Sequence, residues 1–432
     1  MNILNYLNNF LLKYNLKDKK ILLAFSSGSD SRALFELLLK LKDKFNFELH
    51  LAHIDHSYRK DSEAESLMLK KEMQEKNIFF HLKKIDIKNF KNLEDKFRIE
   101  RYNFFEELYF KNNFDALLLA HHKNDLAETV LKRLFEGASI FNLTAMKEEN
   151  FFNKMRVLRP FIYMEKKHIS EFLKKNNISY IDDVTNYDTY YLRARMRSDI
   201  LPYLDKTFGK SITNTLYNIS SESNELDEYL YKKLNKYLEN IKKFKLFTIF
   251  EFPKNLEILE IKYLLKRIAK DEAINLTKDQ LLKISEALLK NKANLKFLVE
   301  NFEIYIDRGI FYIFKKKFDS NFSIQLKEGI FEDNDFFVIK IKKVLKKQKN
   351  KNFKDIFLNN LKIYLPEGNY KIGFIKNDKK FSKQMSDNKV PSFIKYLFPV
   401  IYDEKNRIYE FFTGKERESK GSIFLEVSLY LK

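Results

Sequence analysis

Cysteine is absent from all 432 residues. That absence excludes disulfides, Cys-ligated zinc, iron–sulfur clusters and a thiol nucleophile, and it gives no support to an oxidising compartment. Long apolar runs are missing too, since none approaches the ~18 residues that a membrane span needs. The first residues, MNILNYLNNFLLKYNLKDKK, lack the basic n-region and small-residue cleavage site of a signal peptide. The expectation is a soluble, cytoplasmic chain with no membrane attachment. Negative charge is in deficit: 60 Asp and Glu against 80 Lys and Arg leave a net +20. Such an excess suits a polyanionic partner, because each phosphate neutralised releases counterions. Lysine is nevertheless abundant everywhere in the chain, so charge alone does not distinguish nucleic acid from compositional drift. A hydrophobic content of 44 % excludes general disorder, and the length allows two or three domains with cores of their own.

The first half alternates short apolar runs with helical patterns. KKILLAF precedes SRALFELLLKLKDKF, in which Leu34, Leu37, Leu38 and Leu41 recur at i, i+3, i+4 and i+7. FELHLAHID, IFFHLKKID and FDALLLAHH read as further strands, with helices between and after them. This order predicts an α/β fold, a doubly wound parallel sheet covered on both faces, with ligands beyond the carboxyl ends of the strands. Three polar clusters follow the ends of apolar runs: Ser26–Ser31, His53–Arg59 and His121–Glu128. From about Lys210 the alternation fades into helices, one opening with a capping box of Thr277 and Gln280. A hairpin is expected at Asp307-Arg308-Gly309. The final hundred residues read as β-rich and include the cationic stretch IKIKKVLKKQKNKNFK. Boundaries fall near 205 and 325.

The strand-to-helix loop Ser26-Ser27-Gly28-Ser29-Asp30-Ser31 carries the first specific signal. It has no Lys where a Walker A loop needs one, and its single glycine excludes a dinucleotide fingerprint. Backbone N–H groups at such a turn favour phosphate oxygens, the hydroxyls of Ser26, Ser29 and Ser31 add donors, and Gly28 permits close approach. Asp30 is out of place beside phosphates unless a cation intervenes, which Mg²⁺ would supply. A merely capped helix start would also favour Ser and Asp. The loop resembles the S-G-G-x-D-S loop of PP-loop pyrophosphatases, with Ser27 in the place of the first glycine.

Further segments narrow the resemblance. HIDHSYR, FRIERYNFF with Arg98, Arg101 and Tyr102, LAHHKNDLAETVLKRLFEGAS, and the stretch from VLRPF to ILPYL are each similar to segments of bacterial lysidine synthases that act on isoleucine tRNA. In the last of these, Arg159, Pro160, Asp183, Thr185, Asn186, Arg193, Arg197 and Pro202 fall in register. The C-terminal KKFSKQMSDNKVPSFIKYLFPVIYDEKNRIYEFFTG also resembles that family's last domain. The departures are Asn124 in place of the first of two acids, Glu136 for an Arg, Ser139 for a Gly, Val184 for a Pro and Ala194 for an Asn. Adjacent residues of an extended chain point to opposite faces, so only one of His121 and His122 readily faces a ligand. Arg193, Arg195 and Arg197 form a basic stripe suited either to solvent or to RNA phosphate.

The resemblance implies an N-terminal PP-loop adenylation domain over 1–205, of the adenine nucleotide alpha hydrolase-like type. A mainly helical tRNA-binding domain follows over 206–325, and a small β-rich tRNA-binding domain over 326–432. It implies ATP and Mg²⁺ as cofactors, and tRNA(Ile) with a CAU anticodon and free L-lysine as partners, with no obligate protein partner. The implied reaction adenylates the carbonyl oxygen at carbon 2 of the wobble cytidine, with loss of pyrophosphate, and the ε-amine of lysine then attacks carbon 2 and displaces AMP. Ser26, Ser27, Gly28, Ser29, Asp30 and Ser31 would hold the nucleotide and Asp30 the metal. Asp30, Arg98 and Asp125 would be the catalytic set, with Arg98 stabilising phosphate charge and Asp125 serving the incoming lysine. Thiolating PP-loop relatives rely on Cys, and a chain without thiols fits nitrogen transfer instead. The alternatives are an adenylating ligase acting on a small substrate and a non-catalytic RNA-binding relative.

Overall fold

A computed structural model describes residues 2–55, 62–85, 93–144, 146–181, 192–314, 323–333, 337–347, 361–375, 378–395, 397–413 and 423–432. The apolar run Lys20–Ala24 (β1) lies inside a six-stranded sheet. Its companions are β2 (Glu48–Asp55), β3 (Phe79–Lys84), β4 (Ala116–Leu118), β5 (Glu149–Phe152) and β6 (Met155–Leu158). The order across the sheet is β3-β2-β1-β4-β6-β5, and every pairing is parallel except that of the edge strand β5. Successive side chains of a strand point to opposite faces, so a strand buried on both sides feeds two cores. Ile21 and Leu23 enter one core, with Leu7, Leu34, Leu38 and Ile169. Leu22 enters the other, with Leu117, Tyr102, Phe105 and Leu108.

The helices of the first half of the chain are α1 (Ile3–Lys13), α2 (Ser29–Phe45), α3 (Ser62–Glu75), α4 (Leu93–Lys111), α5 (Lys123–Phe135), α6 (Lys166–Lys175), α7 (Leu192–Arg195) and α8 (Leu201–Phe208), followed by the long α9 (Ile212–Leu238). The stripe of Leu34, Leu37, Leu38 and Leu41 on α2 is buried as its spacing predicts. Helix α2 stops at Asn46, which takes the left-handed conformation at φ 50°. Asparagine tolerates that region better than other residues with a Cβ. In a chain with nine glycines it is used repeatedly, at Asn15, Asn77, Asn113 and Asn177 among others. Helix α5 packs its apolar face, Leu126, Ala127, Val130 and Leu131, against Ile162, Leu201 and Leu216.

Strand order positions the site. From β1 the chain goes to β2 on one side, and it later returns to β4 on the other side of β1. Connections leaving the carboxyl ends of β1 and β4 therefore diverge and open a crevice between them, the switch point at which open α/β sheets bind ligands.

The chain divides into two compact units, Met1–Asp227 and Glu228–Lys432. In the second, α10 (Ile258–Asp271) and α11 (Lys278–Leu289) each open with a capping box, Glu257 with Glu260 and the expected Thr277 with Gln280. The same stretch holds a five-stranded antiparallel sheet. It consists of β7 (Lys242–Lys243), β8 (Phe247–Glu251), β9 (Leu295–Val299), β10 (Phe302–Asp307) and β11 (Ile310–Phe314), in the order β7-β8-β11-β10-β9. Strands β10 and β11 form the expected hairpin, whose Arg308 and Gly309 both have positive φ, 48° and 85°. That is the signature of a tight type I′ turn. Beyond it, β12 (Ser323–Gln325), β13 (Gly329–Asp333), β14 (Phe337–Val344), β15 (Leu361–Pro366), β16 (Tyr370–Gly373), β17 (Val400–Asp403), β18 (Ile408–Tyr409) and β19 (Phe424–Leu431) form two four-stranded sheets, with α12 (Lys379–Asp387) connecting β16 to β17 within one of them. One Phe-rich core runs through this unit and includes Phe247, Phe314, Phe337, Phe398 and Phe412. Among the described residues no helix is long and apolar enough to cross a membrane.

Candidate active site at the strand ends

The loop after β1 is held by its own side chains. The Phe25 N–H still donates to the Ala52 carbonyl at 2.9 Å, so the strand register persists one residue past β1. Ser31 Oγ then donates to the Gly28 carbonyl at 3.1 Å and accepts from the Ser26 N–H at 3.2 Å, with Ser26 Oγ 3.1 Å away. Ser27 Oγ donates to the Ser26 carbonyl at 2.5 Å. The hydroxyls of Ser27 and Ser31 are thus turned onto the loop itself, and both residues are buried. What the loop offers a ligand is backbone. Ser29, Asp30 and Ser31 form the first turn of α2, and the Arg32 N–H makes the first intrahelical bond, to the Gly28 carbonyl at 2.9 Å. The three N–H groups before it have no acceptor within the helix.

Ser27 adopts φ 64°, in the left-handed region where glycine sits without strain. The departure from the S-G-G pattern therefore falls on the residue whose backbone needs glycine most. Ser27→Gly is expected to stabilise the first unit by about 0.5–1 kcal/mol, strain relief outweighing the added freedom of the unfolded chain. Thermal unfolding would register that as a rise of about 1–4 °C, and a lowered midpoint would refute the strain. Gly28 has an ordinary helix-entry backbone, φ −65°, and an added Cβ would meet only Ser26 Oγ, at 3.5 Å. Nothing inside the chain requires glycine there. A ligand approaching the backbone closely would, and so the loop fits a phosphate group.

Two further helices, α5 and α6, bring side chains to Asp30 on α2. Lys166, the first residue of α6, places Nζ 2.5 Å from Asp30 Oδ1 and 2.7 Å from Ser29 Oγ. His122, the N-cap of α5, brings Nε2 to 3.6 Å from Asp30 Oδ1. Burial alone would raise the Asp30 carboxyl, but His122 and Lys166 outweigh it and hold the group down at about 2. Asp30 is therefore a carboxylate at neutral pH, able to hold a divalent cation.

Asp125 closes a capping box with His122, accepting the His122 N–H at 3.0 Å while its own N–H points to the His122 ring at 3.4 Å. Glu128, 2 % exposed, receives Arg197 Nε at 2.5 Å and a second guanidinium nitrogen at 3.0 Å, and that second nitrogen also reaches Asp125 Oδ1 at 3.0 Å. Arg197 thus turns onto two acids rather than joining a solvated stripe with Arg193 and Arg195. Burial opposes ionisation at Asp125, yet His122, His121 and Arg197 still keep its carboxyl below the usual range. At Glu128 burial prevails over Arg197, and the pKa is raised.

Of the two histidines, His122 is the one that meets Asp30. His121 has a buried Nδ1 with no hydrogen-bond partner among the described residues, and its pKa is driven down to about 4, chiefly by burial. His53 is structural: its Nδ1 donates to the Phe25 carbonyl at 2.8 Å and its Nε2 accepts from Ser66 Oγ at 3.2 Å. Arg98 sits on the exposed side of α4 with its guanidinium 5.5 Å from the Tyr102 ring centroid, apart from the Asp30–Asp125 cluster. It acts on its surroundings by charge: after burial, Arg98 is the strongest depressor of the Arg133 pKa, and it also lowers that of Arg159. Three guanidiniums therefore share one neighbourhood, a field that suits a polyphosphate. Arg159 is buried and ties the β5–β6 hairpin through the Lys147 carbonyl and Asn150 Oδ1. Glu136, at the exposed end of α5, pairs with Lys132 at 3.9 Å. His56–Arg59, Asp183, Thr185 and Asn186 lie outside the described residues.

One residue of this cluster, Lys166, was not singled out in the sequence. Lys166 carried a signal that went unused, because a lysine at the first position of a helix opposes the helix dipole and implies a nearby acid. Asn124 stands where the resemblance places an acid, and it caps α6 by accepting the Lys166 N–H at 3.1 Å. The amide keeps the acceptor and gives up the charge.

A family model described as a PP-loop domain matches residues 2–204. A protein of Protochlamydia amoebophila named tRNA(Ile)-lysidine synthase is 33 % identical, over 99 % of this chain and 97 % of its own length. Proteins of the same name match from Chlamydia felis, 37 % identical over 59 % of this chain and 78 % of their own length. Another from Thermosipho africanus is 29 % identical over 94 % of this chain and 93 % of its own length.

Proposed function

The chain belongs to the tRNA(Ile)-lysidine synthase family, and from that premise we propose that it joins L-lysine to carbon 2 of the wobble cytidine in the CAU anticodon of tRNA(Ile). ATP adenylates the base with loss of pyrophosphate, and the ε-amine of lysine then displaces AMP. The observation that carries the reading is the convergence of Asp30, His122, Lys166, Asp125 and Arg197 at the β1–β4 crevice, in a chain similar to a named relative over nearly its whole length.

The backbone of Ser26–Ser31 and the first turn of α2 bind and orient the triphosphate, with Gly28 allowing close approach. Mg²⁺, when held by Asp30, would neutralise phosphate charge as pyrophosphate leaves. Arg98 stabilises negative charge from the α4 side. The cytosine carbonyl oxygen attacks the α-phosphate, and the base must leave its stack to do so, which costs little in an anticodon loop. Asp125, with Glu128 beside it, holds the lysine amine. Its lowered pKa supports a binding and orienting role rather than that of a proton acceptor. The stretches 206–325 and 326–432 grip the rest of the tRNA, a role supported by exposed Lys340, Lys342 and Lys343 on β14.

The test is pyrophosphate release from ATP by the full chain, with and without tRNA and lysine, together with mass spectrometry of the wobble nucleoside. Expected are tRNA-dependent release and a lysine-dependent lysidine product. Release without tRNA would point to a small-substrate ligase, and no release at all to a non-catalytic RNA binder.

A further inference from the structure

We propose that Lys166 is a resident cation that occupies the metal's place on Asp30 and transfers to the triphosphate when metal and nucleotide arrive. The inference rests on the nucleotide reading of the Ser26–Ser31 loop, and it adds a residue and an exchange that the reading does not contain.

Geometry is the first support. Lys166 Nζ lies within hydrogen-bond distance of both Asp30 Oδ1 and Ser29 Oγ, at 2.5 and 2.7 Å. The ammonium therefore stands over the first turn of α2, beside the N–H groups that have no acceptor within the helix. The second support is electrostatic cost. Lys166 is the first residue of α6, and its tip reaches the start of α2, so the charge sits at the positive ends of two helix dipoles. Among the described residues its ion-pair partner is one carboxylate, Asp30, which it shares with His122. A triphosphate would supply several negative charges at the same spot, and the ammonium would be better placed on it than on Asp30.

The backbone of Lys166 is fixed while its tip is not. The Lys166 N–H is bonded to Asn124 Oδ1 at 3.1 Å, and the Lys123 N–H to the Met164 carbonyl at 2.9 Å, which pin the start of α6 to the start of α5. The side chains of Lys166 and Asp30 are 35 % and 29 % exposed, so ligands have access to both. A divalent cation reaching Asp30 Oδ1 must displace Nζ from that oxygen. Rotation about the lysine stem then suffices to carry the ammonium to a phosphate oxygen, with no backbone movement. The exchange makes metal and nucleotide mutually dependent: metal on Asp30 frees the ammonium for the triphosphate, and phosphate, by taking the ammonium, clears Asp30 for the metal.

The experiment compares the full-length protein with K166M and K166R. Calorimetry measures binding of adenosine 5′-(α,β-methylene)triphosphate in excess Mg²⁺, and electron paramagnetic resonance measures binding of Mn²⁺ without nucleotide. K166M is expected to weaken nucleotide binding by about 10- to 100-fold, the worth of a charge-assisted hydrogen bond, and to tighten Mn²⁺ binding several-fold. K166R is expected to keep nucleotide affinity within about threefold of the parent. Opposite signs for the two ligands are the signature, since a lysine that only braced the fold would weaken both. Unchanged nucleotide affinity in K166M, or weakened Mn²⁺ binding, would overturn the exchange while leaving the nucleotide site standing. Failure of the parent protein to bind the analogue would instead overturn the site itself. Thermal unfolding of each variant confirms that the comparison is between folded proteins.

Discussion

Asp30→Ala is expected to lower tRNA-dependent pyrophosphate release by about 10³-fold, the scale seen when a preorganised electrostatic group is removed from a phosphoryl- or acyl-transfer site. The loss should fall on turnover more than on nucleotide binding. Without the carboxylate, Lys166 and His122 lose their shared partner, and the Lys166 ammonium remains able to attract a triphosphate. What disappears is a carboxylate in the first turn of α2 that is held down, at about 2, and so stays ionised to carry a cation. The check is a kinetic split: initial rates across ATP concentration should show kcat collapsing while KM moves by less than about tenfold. Asp30→Asn, which keeps the shape and one acceptor oxygen, should be nearly as impaired, because charge rather than hydrogen bonding is at stake. A rate within tenfold of the parent in either variant would remove Asp30 from the chemistry.

Arg197→Met is expected to produce the largest loss of stability of any single change at the site, about 3 kcal/mol. Removing one partner of a buried ion pair leaves the other charge without compensation, a cost of about 3–5 kcal/mol. The lower figure applies because the Arg197 side chain is 42 % exposed and water can reach part of the gap. Glu128 is the group left stranded, 2 % exposed and already pushed upward in pKa by burial. In the first unit such a loss corresponds to a fall in the unfolding midpoint of about 6–12 °C. The discriminating measurement is the double variant Arg197→Met with Glu128→Gln, in which no charge is stranded. It should recover at least half of the loss, and strictly additive effects would show that the pair is not coupled.

Much of the fold was legible from residue order because its signals are local. Lys20–Ala24 is apolar on both faces, Leu34 to Leu41 recur at helical spacing, and Thr277 with Gln280 spell a capping box, so each announces its element within a few residues. The loop from Ser26 to Ser31 was legible for the same reason. The partners that give the cluster its electrostatics were not. Lys166 pairs with Asp30 across 136 positions and Arg197 with Glu128 across 69, and such pairings depend on how strands order in the sheet, which periodicity does not encode. The stripe of Arg193, Arg195 and Arg197 reads as uniform in sequence, and only tertiary placement turns Arg197 onto Asp125 and Glu128. His121 and His122 show the limit most clearly. Alternation says that they diverge, but the capping of α5 decides which one meets Asp30.

The parallel pairing of β1 with β4, which sets Ile21 beside Ala116, has a consequence for how this chain acquires its shape. Those residues are joined only by closing a long intervening segment that holds two strands and three helices, and such closure carries an entropic cost that local contacts do not repay. Helices α2 and α5 can form early, each with its own cap. The crevice between them exists only after that distant strand has docked, so a kinetic intermediate rich in helix but open at the sheet has no place for a nucleotide to sit.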